Sequence, residues 1–217
     1  MKNRISTFLF HFKLFSHIKK NLLQSNYDAE NISLPLNFTD ESFNNSQLFL
    51  NSHIRQIAAT QNVTMNNHQR GILPEAFASD RLLSSMFKII STNVDRLGQP
   101  FVSTIEAKNT TMFPFYSVQW HPEKNNFEFG LIKDTNLPYE DINHTPDAID
   151  VSLEMARIFV NEARKSKHMY TNVTYPLVWE YDIVSGIEFE QRFVIKRYNK
   201  SNAKPLRYHL QNVTDFI

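Results

Sequence analysis

The run Phe115–Trp120 is the feature that most constrains the fold, because it is rich in aromatic and β-branched residues and stops abruptly at His121-Pro122. Such residues favour a strand packed within a sheet, and proline cannot donate to the strand ladder. The pattern predicts a buried strand that ends at Trp120 and places His121 at its carboxyl end. In open α/β sheets, ligand sites form at that end.

The rest of the chain alternates strand and helix patterns, which predicts an α/β domain. Asp80 is suited to cap a helix, and Gly98 is suited to the turn of a hairpin. The predicted strands cover 32–36, 53–58, 87–93 and 101–107, and a second hairpin pairs 177–184 with 187–197. The predicted helices cover 8–24, the residues after Asp80 and those after Thr145, with a short helical turn at 47–50. Residues 62–71 are polar and favour a turn.

The clearest helix begins at Thr145-Pro146, since threonine caps a helix and proline fits its first turn. Basic residues near position 165 suit its C-terminal end. An apolar stripe follows at helical spacing, and its periodicity predicts the face that packs on the core. The stripe consists of Ile149, Leu153, Ala156, Val160 and Ala163.

Composition limits the classes of function. The 217 residues are 41% hydrophobic, enough for one domain with a packed core, and 23 basic against 22 acidic residues give a net charge of +1. This balance argues against a nucleic-acid partner, which usually requires a large basic surface. No stretch is apolar enough to cross a bilayer, so no membrane partner is expected. The chain has no cysteine, which excludes disulfides and thiolate chemistry from its own residues.

Glycosylation sequons give the compartment signal. They start at Asn31, Asn37, Asn44, Asn62, Asn109, Asn143, Asn172, Asn199 and Asn212. Composition alone would give roughly three, and a sequon matters only on the surface of a secreted protein. The excess of sequons favours passage through the secretory pathway. The alternative explanation is an asparagine-rich genome, in which sequons arise often by chance. The start of the chain, basic and then apolar, is weakly similar to a signal peptide, but His11 and Lys13 interrupt it.

The motif His121-Pro122-Glu123 carries the chemistry. Glu123 is near enough in sequence to accept a hydrogen bond from one imidazole nitrogen, which would leave the other nitrogen to act on a nucleophile. A structural histidine beside a solvated glutamate is the alternative, because short motifs occur by chance.

The surrounding residues, Val118–Lys124 (V-Q-W-H-P-E-K), resemble the strand–His–Pro–Glu segment of class I glutamine amidotransferase-like hydrolases, and within them the γ-glutamyl hydrolases. Three further segments resemble this family in the family order: Leu34–Thr39, Asn67–Ile72 and Phe159–Lys165. The resemblance extends over about residues 34–197. It implies an α/β fold of the flavodoxin-like, three-layer type, with a mostly parallel central sheet and a C-terminal β-hairpin.

The resemblance also implies the chemistry. The family cleaves γ-linked glutamates from folylpoly-γ-glutamates by a Cys–His–Glu mechanism without a cofactor or metal. His121 would match the general base, Glu123 its orienting partner, and His68 a residue near the scissile glutamate. Without the resemblance, His68 in a polar loop would be interpreted as a solvent-exposed side chain. Family members are lysosomal, vacuolar or extracellular, and a homodimer is compatible with the resemblance.

The nucleophile is where the chain departs from the family. Counted back from Leu34, the position of the family's nucleophile falls near Thr7–Phe12. This segment contains neither a cysteine nor the glycine that a nucleophile elbow needs. Ser6 or Thr7 would be the only hydroxyl substitutes there. We therefore expect an uncertain segment at 1–30, the C-terminal part of a γ-glutamyl hydrolase-like domain at 31–198, and a loose tail at 199–217.

Three hypotheses follow. The chain is a truncated or inactive γ-glutamyl hydrolase, or a non-catalytic protein that binds folate polyglutamates through His68, His121 and Glu123. The third, a glutamine amidotransferase domain, fits less well, because Trp120 and the sequons argue against it and no synthetase domain accompanies the motif.

Overall fold

A computed structural model describes residues 6–9, 22–41, 43–167, 181–184 and 192–193 of the chain. It divides into two compact units. The first comprises Met1–Phe129 with Pro138–Lys167, and the second comprises Gly130–Leu137 with His168–Ile217. The predicted tail at 199–217, and most of the segment 1–30, lie outside the described residues.

The first unit is built on a mixed five-stranded sheet with the strand order β1-β7-β6-β5-β3. These strands are β1 (Ser6–Leu9), β3 (Asn37–Phe38), β5 (Phe87–Val94), β6 (Pro100–Ala107) and β7 (Phe115–Val118). Only β1 and β7 pair in parallel; the other three neighbouring pairs are antiparallel. The α/β class is therefore confirmed, whereas the expected mostly parallel sheet does not describe these strands, because the short β5–β6 and β6–β7 connections reverse the chain without a helical crossover.

A separate two-stranded ribbon pairs β2 (Leu23–Leu34) with β4 (Thr64–Ile72). The predicted turn at 62–71 is thus wrong. Thr64, Met65 and Asn66 are buried, while Gln69 and Arg70 are exposed. The polar composition suggested a loop, but the long partner strand β2 satisfies the backbone of β4 from a distant part of the sequence.

The predicted strand at 53–58 is also wrong, because these residues belong to helix α1 (Ser52–Thr60). Asn51 caps the helix by accepting from the backbone N–H groups of His53 and Ile54. The apolar residues Ile54, Ile57 and Ala58 recur at helical spacing and are all buried. These residues, with Leu48 and Phe49 of the short turn at 47–50, share one hydrophobic cluster with Ile90 of β5.

The predictions of a helix after Asp80 and of a hairpin around Gly98 are both confirmed. Helix α2 covers Pro74–Ser79 and α3 covers Arg81–Met86, where the Asp80 carboxylate accepts from the N–H groups of Leu82 and Leu83 at 3.0 Å each. The predicted hairpin is the pair β5–β6, and Gly98 at its turn has φ +79°, which glycine tolerates.

Helix α4 (Lys124–Phe127) follows β7, and α5 (Pro146–Arg164) follows later, capped by Thr145 as predicted. The predicted core face of α5 is wrong. Its buried positions are Ala148, Val151, Ser152, Glu154 and Met155, while most of the predicted stripe is exposed. Ala148, Val151 and Met155 join Trp120 and Phe49 in the main hydrophobic cluster.

The second unit contains β8 (Ile183–Val184) and β9 (Arg192–Phe193), which pair antiparallel. The two strands fall within the two segments of the predicted C-terminal hairpin, but Val184 pairs with Arg192 and not with the start of the second segment at Ile187. Most other residues of this hairpin lie outside the described part. The predicted helix at 8–24 is contradicted at both ends, because Leu9 ends a strand and Leu23 begins one. Residues 10–21 between them are outside the described residues.

Candidate active site at the end of strand β7

Two contacts just after the end of strand β7 hold the backbone of His121 in place. Trp120 is 1% exposed, and its indole N–H donates to Thr104 Oγ1 at 3.3 Å. The His121 backbone N–H donates to the carbonyl of Met65 at 2.8 Å, which links the end of β7 to β4. A buried aromatic anchor and a backbone bond to another strand thus fix the position from which the imidazole projects.

The imidazole of His121 and the carboxylate of Glu123 are in contact. His121 Nδ1 lies 2.8 Å from Glu123 Oε1, and because a carboxylate can only accept, Nδ1 carries the proton. The turn between them is held by Ser152, whose hydroxyl donates to the carbonyl of Pro122. This arrangement fixes one tautomer and leaves Nε2 with a lone pair that can accept a proton.

The second oxygen of Glu123 is in a different position. Among the described residues, Glu123 Oε2 is buried and has no hydrogen-bond partner. The side chains of His121 and Glu123 as a whole are 30% and 41% exposed. The pair therefore lies at the surface with one acceptor atom turned inward.

His68 lies in strand β4 and not in the loop that the sequence suggested. Its ring packs edge-on against Phe101, with centroids 4.8 Å apart, and its Nε2 is 3.3 Å from Asn66 Oδ1. Burial, with a smaller contribution from the neighbouring His121, lowers the pKa of His68 to about 4. His68 is thus a neutral imidazole whose Nε2–H donates to the Asn66 amide.

The parallel strand β1 ends beside β7. Leu9 is in register with Val118, three residues before His121, so the two carboxyl ends meet at the same edge of the sheet. Ser6 and Thr7 are in register with Phe115 and Tyr116, further back along the strands. At about 3.3 Å per residue they lie roughly 7–10 Å from the strand end, which places their backbone away from that edge.

A polar cluster beside the histidines was missed by the sequence analysis. Lys124 is 5% exposed, and its ammonium donates to Glu128 Oε2 at 2.7 Å and to Glu140. Burial alone would lower the pKa of Lys124, but these two carboxylates raise it above its usual value. Glu140 also accepts from Asn67, the residue before His68. Only the position of Lys124 directly after the His-Pro-Glu motif could have indicated this cluster.

The described ranges contain neither a metal-binding cluster nor a membrane-spanning helix. No group of three or more histidine and acidic side chains there is arranged to hold a metal ion. Nor does that part of the chain contain a helix with the length and apolarity needed to cross a membrane.

A histidine at a strand end, oriented by a carboxylate, is typical of hydrolases that use a side-chain nucleophile. Known proteins identify the family more narrowly, although no family model matches the chain. It is 36% identical to γ-glutamyl hydrolase B of Dictyostelium discoideum over 150 residues, which are 68% of this chain and 40% of that protein. It is 34% identical to γ-glutamyl hydrolase of Mus musculus over 168 residues, 75% of this chain and 49% of that protein.

Gamma-glutamyl hydrolase 2 of Arabidopsis thaliana is 37% identical over 141 residues, 62% of this chain and 38% of that protein. The chain belongs to the γ-glutamyl hydrolase family. It spans less than half the length of each of these three relatives.

Proposed function

We propose that this chain supplies the acid–base half of a γ-glutamyl hydrolase site. His121 is the general base and Glu123 its orienting partner. The observation that carries the proposal is the 2.8 Å contact between His121 Nδ1 and Glu123 Oε1 at the carboxyl end of β7. Residues 31–198 are then the C-terminal part of the hydrolase domain. The parallel pair β1–β7 with α5 packed beside it is compatible with a flavodoxin-like arrangement.

The reaction would be cysteine-type hydrolysis of a γ-linked glutamate. His121 Nε2 takes the proton of a thiol, the thiolate attacks the amide carbonyl, and the same imidazole returns the proton to the leaving amine. Water then cleaves the resulting thioester. These 217 residues contain no cysteine, so the thiol must come from outside them. The edge next to Leu9 is the position from which a nucleophile would reach His121.

His68 is proposed to contact the substrate, a folylpoly-γ-glutamate. A neutral imidazole can donate or accept a hydrogen bond without adding a charge that must be desolvated. Its location on β4, one backbone bond from His121 through Met65, supports a role beside the scissile amide. Asn66 and Phe101 would keep the ring in place when the ligand arrives.

A second function, binding without catalysis, is favoured by one observation: the chain carries both histidines but no thiol. Such a protein would bind folylpoly-γ-glutamates and leave them intact. The two proposals share the same ligand and differ only in the nucleophile.

We also propose a lysosomal, vacuolar or extracellular location. Of the six sequon asparagines that the structure describes, Asn31, Asn37, Asn44, Asn62 and Asn109 are exposed, as glycosylation requires, whereas Asn143 is half-buried. Treatment of the protein from its native source with an N-glycosidase should lower its apparent mass. An unchanged mass would contradict a secretory route.

The test is binding and turnover with pteroylpenta-γ-glutamate. We expect the purified full chain to bind it, to release no glutamate, and to bind roughly tenfold more weakly after His68→Ala, about the loss of one hydrogen bond in a desolvated site. The control is His53→Ala, an exposed histidine on α1. Absence of binding by the wild type would contradict both proposals.

Sequencing of the transcript from its 5′ end distinguishes the hydrolase from the binding protein. An upstream segment that encodes a cysteine on a glycine-flanked turn would favour the hydrolase. In a chain that includes that segment, His121→Ala should abolish turnover and leave the fold intact. Retained turnover in that variant would contradict the role of His121. A transcript without such a cysteine would favour the binding protein.

A further inference from the structure

The carboxylate of Glu140 joins the two segments that carry the histidines of the candidate site. Its Oε1 accepts a hydrogen bond from the side-chain amide of Asn67, and its Oε2 accepts one from the ammonium of Lys124. Asn67 immediately precedes His68 on β4, whereas Lys124 immediately follows the His-Pro-Glu motif. One side chain therefore connects the strand of His68 to the motif of His121.

The ladder between β2 and β4 is irregular around His68. Ala29 pairs with His68, and the register shifts on both sides of this pair. Such irregularities disrupt the hydrogen bonds between two strands and bend the backbone. This part of β4 therefore depends more on side-chain contacts than a regular strand does.

Asn67 is suited to support His68 because neighbouring residues of a strand point to opposite faces. Asn67 is exposed, while the ring of His68 packs against Phe101 with 4.8 Å between the centroids. Both polar atoms of the Asn67 amide are occupied, since its Oδ1 also accepts from the backbone N–H of Asn31 at 3.3 Å. Bonds that hold Asn67 on one face of β4 keep the ring of His68 in contact with Phe101 on the other face.

The other contacts of Glu140 and its neighbours make it a fixed point. The backbone N–H of Asp141 donates to Asn31 Oδ1 at 2.5 Å. The ammonium of Lys124 is shared with Glu128, whose Oε2 lies 2.7 Å away, and Lys124 is only 5% exposed. Buried ion pairs add little net stability, but they can impose one geometry on the segments that they join.

We propose that Glu140 is a positioning residue of the candidate site, which keeps His68 against Phe101 and at a fixed distance from His121. Glu140 acts through its two partners and not on the substrate itself. The inference rests on the proposed function in one respect, that His68 contacts the substrate. Loss of the bridge should open β4 locally around His68 and let water reach the ring, while the rest of the fold persists.

NMR titration of the His68 ring in the full chain tests the bridge directly. Glu140→Gln has one acceptor oxygen where the carboxylate has two, so only one of the two links keeps its geometry. We expect the pKa of His68 to rise from about 4 by roughly one pH unit or more as the ring becomes hydrated. Loss of a negative charge would by itself lower this pKa, so a rise identifies local opening.

The matched control is Glu128→Gln. It removes the other carboxylate from the same Lys124 ammonium, but among the described residues Glu128 has no hydrogen bond to Asn67. The pKa of His68 should therefore not change in this variant. The charged groups that act on His68 are unchanged in both variants; they belong to His121, Asp95 and Glu30.

Two variants at position 67 test the same link from its exposed end. Asn67→Ala removes the link without disturbing the ion pair, and should raise the pKa of His68 even if Glu140→Gln is too unstable to measure. Asn67→Asp combined with Glu140→Gln reverses the roles: the new carboxylate accepts from the new amide, whose oxygen accepts from Lys124. This exchange should return the pKa of His68 toward the wild-type value. Asn67→Asp alone should raise it, because two carboxylates then meet.

Binding of pteroylpenta-γ-glutamate, measured by calorimetry, tests the consequence for the site. Glu140→Gln should weaken binding about three- to tenfold, but by less than about twofold when His68→Ala is already present, because the bridge acts through His68. Far-UV circular dichroism checks that each variant is folded.

An unchanged pKa of His68 in Asn67→Ala, an equal rise in Glu128→Gln, or an exchange variant that does not recover would overturn the inference. Additive losses of affinity in Glu140→Gln and His68→Ala would also overturn it. If the wild type does not bind the ligand, the proposed function fails, and the titration of His68 alone decides whether Glu140 positions the ring.

Discussion

The two histidines of the candidate site show how differently one residue type can be held. His121 lies at a strand end, partly exposed, with its Nδ1 2.8 Å from a carboxylate. His68 lies within a strand, bonded to an amide and packed against Phe101, where burial lowers its pKa to about 4. A carboxylate supports the imidazolium that forms during proton transfer, whereas an apolar setting with an amide keeps the ring neutral. The immediate partner, and not the residue type, therefore determines what each histidine can do.

The largest effect should come from removing the anchor of His121. Trp120→Ala leaves a large cavity at the end of β7, and we expect the free energy of unfolding to fall by about 3–5 kcal/mol. Chemical denaturation measures this loss. The control is Leu97→Ala, since Leu97 is 64% exposed and should change stability by less than about 0.5 kcal/mol. Equal losses in both variants would mean that Trp120 does not support the site.

His68 should become easier to protonate if it is given a carboxylate partner like that of His121. Asn66→Asp places a carboxylate at the atom that now contacts His68 Nε2, which favours the imidazolium. We expect the pKa of His68 to rise by roughly one to three pH units. NMR titration of its ring protons measures this shift. Asn161→Asp, remote from both histidines, is the control. An unchanged midpoint in Asn66→Asp would show that the contact with Asn66 does not form.

The neutral state of His68 should also make stability depend on pH. In the unfolded chain histidine takes up a proton near pH 6.5, whereas folded His68 does so only near pH 4. Its contribution is therefore complete above about pH 6.5 and is lost as the pH falls toward 4, by at most about 1.4 kcal/mol per pH unit. Denaturation of the wild type and of His68→Gln at several pH values measures the difference. Parallel curves for the two proteins would contradict a buried neutral His68.

The smallest thermodynamic effect should come from Glu123→Ala. Both members of the pair are partly exposed, so the loss of stability should be below about 1 kcal/mol. The imidazole of His121 should nevertheless begin to populate both tautomers, because nothing then holds the proton on Nδ1. Nitrogen-15 chemical shifts of the ring report this change, and Glu123→Gln, which keeps an acceptor, is the control. A single tautomer in the alanine variant would mean that Glu123 does not orient the ring.

The sequence by itself determined the features that depend on neighbouring residues. Asp80 and Thr145 cap helices through bonds to N–H groups two or three residues away, and Gly98 sets the turn of the β5–β6 hairpin. The contact between His121 and Glu123 is equally local, since the partners are two residues apart and Pro122 restricts the backbone between them. Each of these interactions closes within a few residues, so a short pattern contains the information for it.

The tertiary structure alone decided the features that depend on distant segments. Residues 64–72 look like a polar loop until β2 pairs with them, and only that pairing, together with Phe101, turns His68 into a half-buried neutral base. Helical periodicity could identify the stripe on α5 but not which face the sheet would cover; the core took Ala148, Val151 and Met155 instead. Burial is a property of two surfaces that meet, and one segment of sequence carries only one of them.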